Sequence, residues 1–226
     1  MSVSIEKDIV KQFGDGIMRS GAAVVDSELL VVPVCPSLDV VLGGGIPEGS
    51  FVTFTGQPKC GKTTTCLHFA AKCQGKEYGG ELCPEGRHVY FFNIEGRLKK
   101  RDLEGIPNLD LERFHVIGSE PGRILTAENY LSIAEKTINE VPGSVVILDS
   151  YSALCTEAEI TSSMDKMQRA DGAKLLAKFC RKVANVVPVN RNIVMGITHL
   201  MGNPTGYGAE FKEKSGQAVA YQVDVK

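Results

Sequence analysis

The sequence has no apolar run near the roughly 20 residues needed to cross a bilayer, and its first ten residues, MSVSIEKDIV, lack the apolar stretch of a secretory signal. A membrane-spanning or secreted chain is therefore not expected, and an intracellular one is. Seven cysteines, an odd number with no even framework, argue against a disulfide scaffold and for a reducing compartment. Cys66, Cys73, Cys83 and His88 lack the paired C-x-x-C form of a zinc site, so buried free thiols are expected. Internal repeats and low-complexity tracts are absent. Charge of one sign is absent too: 25 Lys and Arg against 27 Asp and Glu leave a net −2. That balance gives no global pull toward a polyanion, so any such binding must come from a local basic surface.

What is present is an ordinary globular composition, 43% hydrophobic and 23% charged over 226 residues, enough to bury a sizeable core in one large domain. Ile5, Ile9, Val10 and Phe13 fall at helical spacing before Gly14 and Gly16 break the pattern. The apolar face of this helix fits its own core or a neighbouring subunit equally well. Apolar, β-rich segments recur at 29–34, 51–55, 88–93, 114–117, 145–148, 193–197 and 218–225, and several lack period-two alternation. Strands apolar on both faces, separated by helical stretches at 62–74, 127–140 and 172–187, predict an α/β fold with a mostly parallel sheet covered by helices.

After the strand at 51–55 comes GQPKCGKT, comprising Gly56, Gln57, Pro58, Lys59, Cys60, Gly61, Lys62 and Thr63. It matches G-x-x-x-x-G-K-[ST], the phosphate loop, and a helical sequence beginning with Thr64 follows. The glycines let backbone N–H groups and the positive helix end surround phosphates, Lys62 adds charge, and the Thr63 hydroxyl suits magnesium. The segment VVILDS ends a buried strand in Asp149, the natural magnesium partner for Thr63. Glu95 follows the strand at 89–93 and would emerge at the same edge, where it could orient or deprotonate an attacking water. Read from the residues alone, a surface Glu paired with Arg97 or Lys99 is the alternative.

These residues resemble the RecA recombinase family over nearly the whole chain. KQFGDGIMRSG at 11–21 looks like the end of its amino-terminal interaction segment. PSLDVVLGGGIPEGSFVTFTGQPKCGKTT at 36–64 resembles its core entry, VILDSYSAL at 146–154 its second acidic strand, and GNPTGYGAE at 202–210 its second DNA-binding loop. The resemblance implies a P-loop RecA-type ATPase core at 34–226 behind a subunit-interaction segment at 1–33, ATP with Mg2+ as cofactors, and Glu95 as the catalytic glutamate. It implies single- and double-stranded DNA and copies of the chain itself as partners in a helical filament, with no membrane, in the cytoplasm of a bacterium or a phage-infected bacterial cell. IEGRL at 94–98 is closer to archaeal and eukaryotic recombinases. Thr198 and His199 stand where bacterial members have Asn-Gln, similar to the Asn-His of a phage recombinase. His199 would then sense the γ-phosphate; a histidine capping a strand end is the alternative. GRLKKRDLEG at 96–105 is more basic than the family shows and lacks its aromatic for stacking on adenine.

The resemblance also makes 159–169 the first DNA loop and 200–216 the second, with Met167, Arg169, Leu200, Met201, Gly202, Asn203 and Gly216 as contacts. The stretch 162–191 holds seven basic residues against two acidic ones, a net +5. Lys174, Lys178 and Arg181 fall on one helical face, with Leu176, Phe179, Cys180 and Val183 facing inward. Such a stripe suits phosphate contacts along a strand, while Met167, Leu200 or Met201 could wedge between bases. The chain stops at Lys226 inside an apparent strand, short of the later core strands that the resemblance implies. Two alternatives stay open: a truncated nucleotide-binding module without turnover, and a RecA-core ring motor or regulator, against which GNPTGYG argues.

Overall fold

The structure is a computed structural model, and it describes residues 2–163, 171–202, 211–213, 219 and 222–226. By contacts the chain divides into two compact units, Met1–Leu30 and Val31–Lys226. The first contains helix α1, Ser2–Phe13, and the short α2, Gly21–Val25, whose Ser20 cap accepts from the Ala23 N–H at 3.1 Å.

The second unit runs β1 (Val31–Val32), α3 (Pro36–Leu42), β2 (Ile46–Pro47), β3 (Phe51–Gly56), α4 (Lys62–Cys73), β4 (Val89–Asn93), α5 (Lys100–Glu104), β5 (Phe114–Ile117), α6 (Ala127–Glu140), β6 (Val145–Asp149), α7 (Glu157–Thr161), α8 (Asp171–Val183), α9 (Val186–Val189), β7 (Ile193–Gly202) and β8 (Phe211–Glu213). β1 and β2 form a small antiparallel pair. The main sheet is parallel in the order β3-β7-β6-β4-β5, and β8 pairs antiparallel to the end of β7.

Both faces of this sheet are buried, which is why its strands read as continuous apolar runs. Val145 and Ile147 of β6 pack with Phe69 and Leu67 of α4 on one side; Val146 and Leu148 pack with Leu131 of α6 and Phe179 of α8 on the other. All four β6 side chains are fully buried, each contributing about 1.5–3 kcal/mol relative to exposure. The register sets Gly56 beside His199 and Asn93 beside Asp149, so the ends of β3, β7, β4 and β6 gather on one carboxyl edge.

Several boundaries differ from the sequence expectations. The expected strand at 218–225 is not one: Val219 and Gln222 are helical, and the Val223 N–H donates to the Val219 carbonyl at 3.1 Å. The alternating pattern misleads there because Val219 and Val223, four apart, bury one helical face. Only the last residues pair, Val225 bridging Val52 in parallel while the Asp224 carboxylate accepts from the Phe51 N–H at 2.7 Å. The helix expected at 172–187 ends at Val183, and α9 follows. The strand expected at 193–197 runs on to Gly202, because β3 pairs in parallel with Thr198 and His199 and β8 supplies antiparallel partners to Leu200, Met201 and Gly202. The cysteines divide: Cys66, Cys73 and Cys180 are buried, but Cys60 and Cys155 are exposed, contrary to a set of uniformly buried thiols.

Candidate nucleotide site

The loop from Gly56 to the start of α4 bends where the backbone must leave the ordinary regions. Gly61, at the amino end of α4, has φ +91°, which side-chain-bearing residues rarely adopt. The turn aims the helix end and the following side chains into a cleft of about 540 Å³ at the carboxyl edge of the sheet. Lys62 is buried, and its ammonium donates to the carbonyls of Gly56 at 3.0 Å and Gln57 at 2.7 Å. Thr63 Oγ1 donates to Asp149 Oδ2 at 2.7 Å, joining loop and acidic strand across 86 residues of sequence. A hydroxyl beside a carboxylate is the hard-oxygen pair that magnesium takes.

Glu95 lies in the turn after β4, which is pinned to the sheet: the N–H groups of Ile94 and Glu95 both donate to the Asp149 carbonyl, at 2.9 and 3.1 Å. Its carboxylate is largely buried, the side chain 15% exposed. Oε1 accepts from Ser150 Oγ at 2.6 Å and from His199 Nε2 at 2.7 Å, while Arg97 approaches Oε2 at 3.4 Å. Burial pushes the Glu95 carboxyl up, but the bonds from Ser150 and His199, with the His199 and Arg97 charges, outweigh it and hold it below the usual value. Asp149 goes the other way: burial, with the neighbouring Glu95 charge, raises it despite the Thr63 bond, His199 and Lys62.

The expected phosphate-site residues are thus largely brought together. Pro58, Lys59, Gly61, Lys62, Thr63, Thr64, Glu95, Asp149 and His199 line one cleft. Gly56 and Gln57 hold Lys62 through their carbonyls, and Cys60 Sγ lies 3.7 Å from Lys62 Nζ. His199 does not cap a strand end; it sits inside β7, its N–H donating to Ser152 Oγ at 3.0 Å. Glu95 does pair with Arg97, yet it is no surface residue. A second cavity, about 550 Å³, lies on the Ser152 side, and Pro58, Glu95, Arg97 and His199 line both.

Sequence reasoning missed Ser150, Ser152 and Arg101, and named Arg97 only as a partner of a surface Glu95. Ser150 had a signal, since it directly follows Asp149; the others are gathered only by the fold. Among the described residues no group of three or more His, Cys, Asp or Glu could hold a metal ion.

The expected DNA face is described only in part. Lys174, Lys178 and Arg181 are exposed on α8 and Leu176, Phe179, Cys180 and Val183 are buried, as the helical pattern requires. Met167, Arg169, Asn203 and Gly216 lie outside the described residues. The expected first loop is partly helix: Glu159 sits in α7, where it and Thr156 form a reciprocal cap, its N–H donating to Thr156 Oγ1 at 3.3 Å. The expected second loop begins as strand, with Leu200, Met201 and Gly202 in β7.

The family model described as the RecA N-terminal domain matches residues 1–203 of the 226. The chain belongs to the RecA family. It is 31% identical over 221 residues to Protein RecA of Clostridium botulinum (strain Eklund 17B / Type B), an overlap covering 96% of this chain and 58% of that protein. It is 32% identical over 206 residues to Protein RecA of Geobacter sulfurreducens, covering 87% and 56%. This RecA-family chain therefore spans less than two thirds of those relatives, and its parallel sheet flanked by helices is the α/β core of a RecA-like protein.

Proposed function

We propose that the chain is an ATP-dependent DNA recombinase. It binds ATP with Mg2+, polymerises on single-stranded DNA into a helical filament, pairs that strand with homologous double-stranded DNA, and hydrolyses ATP faster when DNA is bound. Residues 1–33 serve as the subunit-interaction segment and 34–226 as the ATPase core, in the cytoplasm of a bacterium or a phage-infected bacterial cell. The observation that carries this reading is the convergence of a buried lysine, a hydroxyl–carboxylate pair and a second carboxylate on one cleft at the carboxyl edge of a parallel sheet. Family membership supports the DNA half. No helix among the described residues is long and apolar enough to cross a membrane.

In this mechanism the loop N–H groups and Lys62 hold the phosphates, and Thr63 with Asp149 would hold the metal, which when bound would supply positive charge against the phosphates. Glu95 orients the attacking water and takes its proton as the new P–O bond forms and the bond to the bridging oxygen breaks, releasing ADP. His199, already touching Glu95, relays the state of the site along β7 to β8. Lys174, Lys178 and Arg181 follow the DNA phosphates, so binding is indifferent to sequence and strand pairing selects the partner.

One observation favours a second reading, a nucleotide-binding module without turnover: Glu95 Oε1 already accepts from two donors. Hydrolysis with and without single-stranded DNA at two salt concentrations separates the two. Stimulation by DNA that higher salt weakens supports the recombinase; ATP binding with no hydrolysis in either condition supports the module. Closed rings in place of filaments in micrographs would count against the recombinase.

A further inference from the structure

Arg97 joins an anchored backbone to a loosely held side chain. Gly96, at φ +65°, turns the chain after Glu95, and the N–H groups of Arg97 and Leu98 both donate to Asn93 Oδ1, at 3.1 and 3.3 Å. Together with the bonds of Ile94 and Glu95 to the Asp149 carbonyl, these fix the turn to the sheet edge. The Arg97 side chain, by contrast, is 83% exposed and makes one ion pair, to Glu95 Oε2 at 3.4 Å. An ion pair so open to water is worth little and exchanges readily. A guanidinium offers a planar fork of donors, which matches a phosphate as well as it matches a carboxylate.

Position distinguishes Arg97 from the other cations of the cleft. Lys59 and Lys62 belong to the loop at the start of α4, Lys62 donating to the carbonyls of Gly56 and Gln57, and Arg101 lies 3.8 Å from its neighbour Asp102. Arg97 alone among the described cleft cations is an arginine or lysine paired with Glu95. If Glu95 handles the attacking water, as the proposed function holds and as this inference requires, the γ-phosphate must lie beside Glu95. A cation at that carboxylate is then beside the atoms where charge develops.

We propose that Arg97 is a catalytic residue supplied by the same chain: its guanidinium leaves Glu95 and closes on the γ-phosphate of bound ATP. One movement then does two things. It brings N–H donors to the phosphoryl oxygens, and it uncovers Oε2, the Glu95 oxygen not engaged by Ser150 and His199, for the water. The water oxygen forms its bond to phosphorus, the bond to the bridging oxygen breaks with its electron pair leaving on ADP, and the water proton passes to Glu95. Arg97 gains and loses no proton; it only donates hydrogen bonds to the transferring group.

The test compares the full chain with Arg97→Ala and Arg97→Lys. Steady-state hydrolysis with single-stranded DNA is measured across pH, and binding of Mg–ADP is titrated calorimetrically with and without fluoroaluminate, a mimic of the transferring phosphoryl group. Arg97→Ala is expected to lower kcat on the order of 10³-fold at every pH with little change in KM, and Arg97→Lys to recover part of it. Arg97→Ala should bind Mg–ADP as the parent does yet lose the gain in affinity that fluoroaluminate gives. A kcat within about tenfold of the parent overturns the proposal. So does a loss confined to the acid end of the profile, which would mean that Arg97 acts only by keeping Glu95 ionised. If the parent itself hydrolyses nothing, the proposed function has failed, and the binding arm still decides: fluoroaluminate affinity equal in parent and Arg97→Ala overturns the role of Arg97.

Discussion

Arg87 is the largest fully buried side chain in the described protein, and removing it should cost more stability than any other single cationic substitution. Its guanidinium lies at the amino edge of the main sheet, opposite the candidate nucleotide cleft. Nε donates to the Tyr78 carbonyl at 2.7 Å, one terminal nitrogen donates to the carbonyls of Gly143 at 2.8 Å and Arg191 at 2.9 Å, and the other pairs with the Glu48 carboxylate. Those partners precede β3, β6 and β7 or follow α4, so one side chain ties together the points where the chain enters the sheet. Glu48 is 4% exposed, and Arg191 at 3.5 Å is too open to replace what Arg87 provides. Arg87→Met fills the volume but leaves a buried carboxylate poorly compensated and three carbonyls short of donors. Breaking a buried pair in this way costs about 3–5 kcal/mol. For a chain of this size that is a fall in Tm of roughly 6–20 °C. Arg87→Met with Glu48→Met should recover part of the loss, the part that comes from the buried carboxylate, while the three carbonyls stay short of donors. Thermal and urea melts of the three proteins measure this. A single substitution costing under about 1 kcal/mol, or a double variant as unstable as the single, would refute the reasoning.

Other consequences follow from the same coordinates. Gly196→Ala would set a Cβ 1.9 Å from Cε2 of buried Tyr151, so a loss of about 1–3 kcal/mol is expected in urea melts, and an unchanged midpoint would mean that β7 and Tyr151 separate easily. Asp149 is held above the usual carboxylate value by burial and by Glu95, so its folded form binds a proton more tightly than its unfolded form and its ionisation weakens the fold as pH rises through that window. Asp149→Asn should therefore melt at the same or a higher temperature than the parent at pH 7 without nucleotide, yet lose magnesium-dependent ATP binding; a lower melting temperature contradicts this. Exposed Cys60 and Cys155 should react with a maleimide in the native protein, with ATP protecting Cys60. Cys66, Cys73 and Cys180 should stay silent until unfolding, since burial raises their thiols, Cys73 to about 12 and Cys180 to about 11. Mass spectrometry of the labelled peptides reads this, and early labelling of Cys66 would count against it.

What the sequence made legible was local or periodic. The phosphate-loop pattern is legible because its glycines, lysine and threonine fall within eight consecutive residues between a strand and a helix. The face of α8 follows from 3.6-residue spacing, and the two-sided sheet from several apolar segments that lack alternation. The rest depends on distance. Glu95 meets Ser150 across 55 residues and His199 across 104, and Arg87 gathers partners from 9 to 104 residues away, none of which a motif encodes. β7 reads as ending at Ile197 because the residues after it look like a loop, but pairing with β3 carries the strand through His199 and pairing with β8 carries it on to Gly202. Segment 218–225 failed for the opposite reason: its alternation was real, but burial of Val219 at helical spacing to Val223 prevailed.

The central claim is that this cleft binds ATP and that Glu95, not the fold alone, turns it over. The most direct measurement pairs the ATP dissociation constant with single-turnover hydrolysis, in the presence of magnesium and single-stranded DNA, for the parent, Lys62→Ala and Glu95→Gln. The account predicts that Lys62→Ala loses binding, while Glu95→Gln binds ATP nearly as the parent does and hydrolyses it about 10²–10⁴-fold more slowly. Hydrolysis by Glu95→Gln at the parent rate would contradict it.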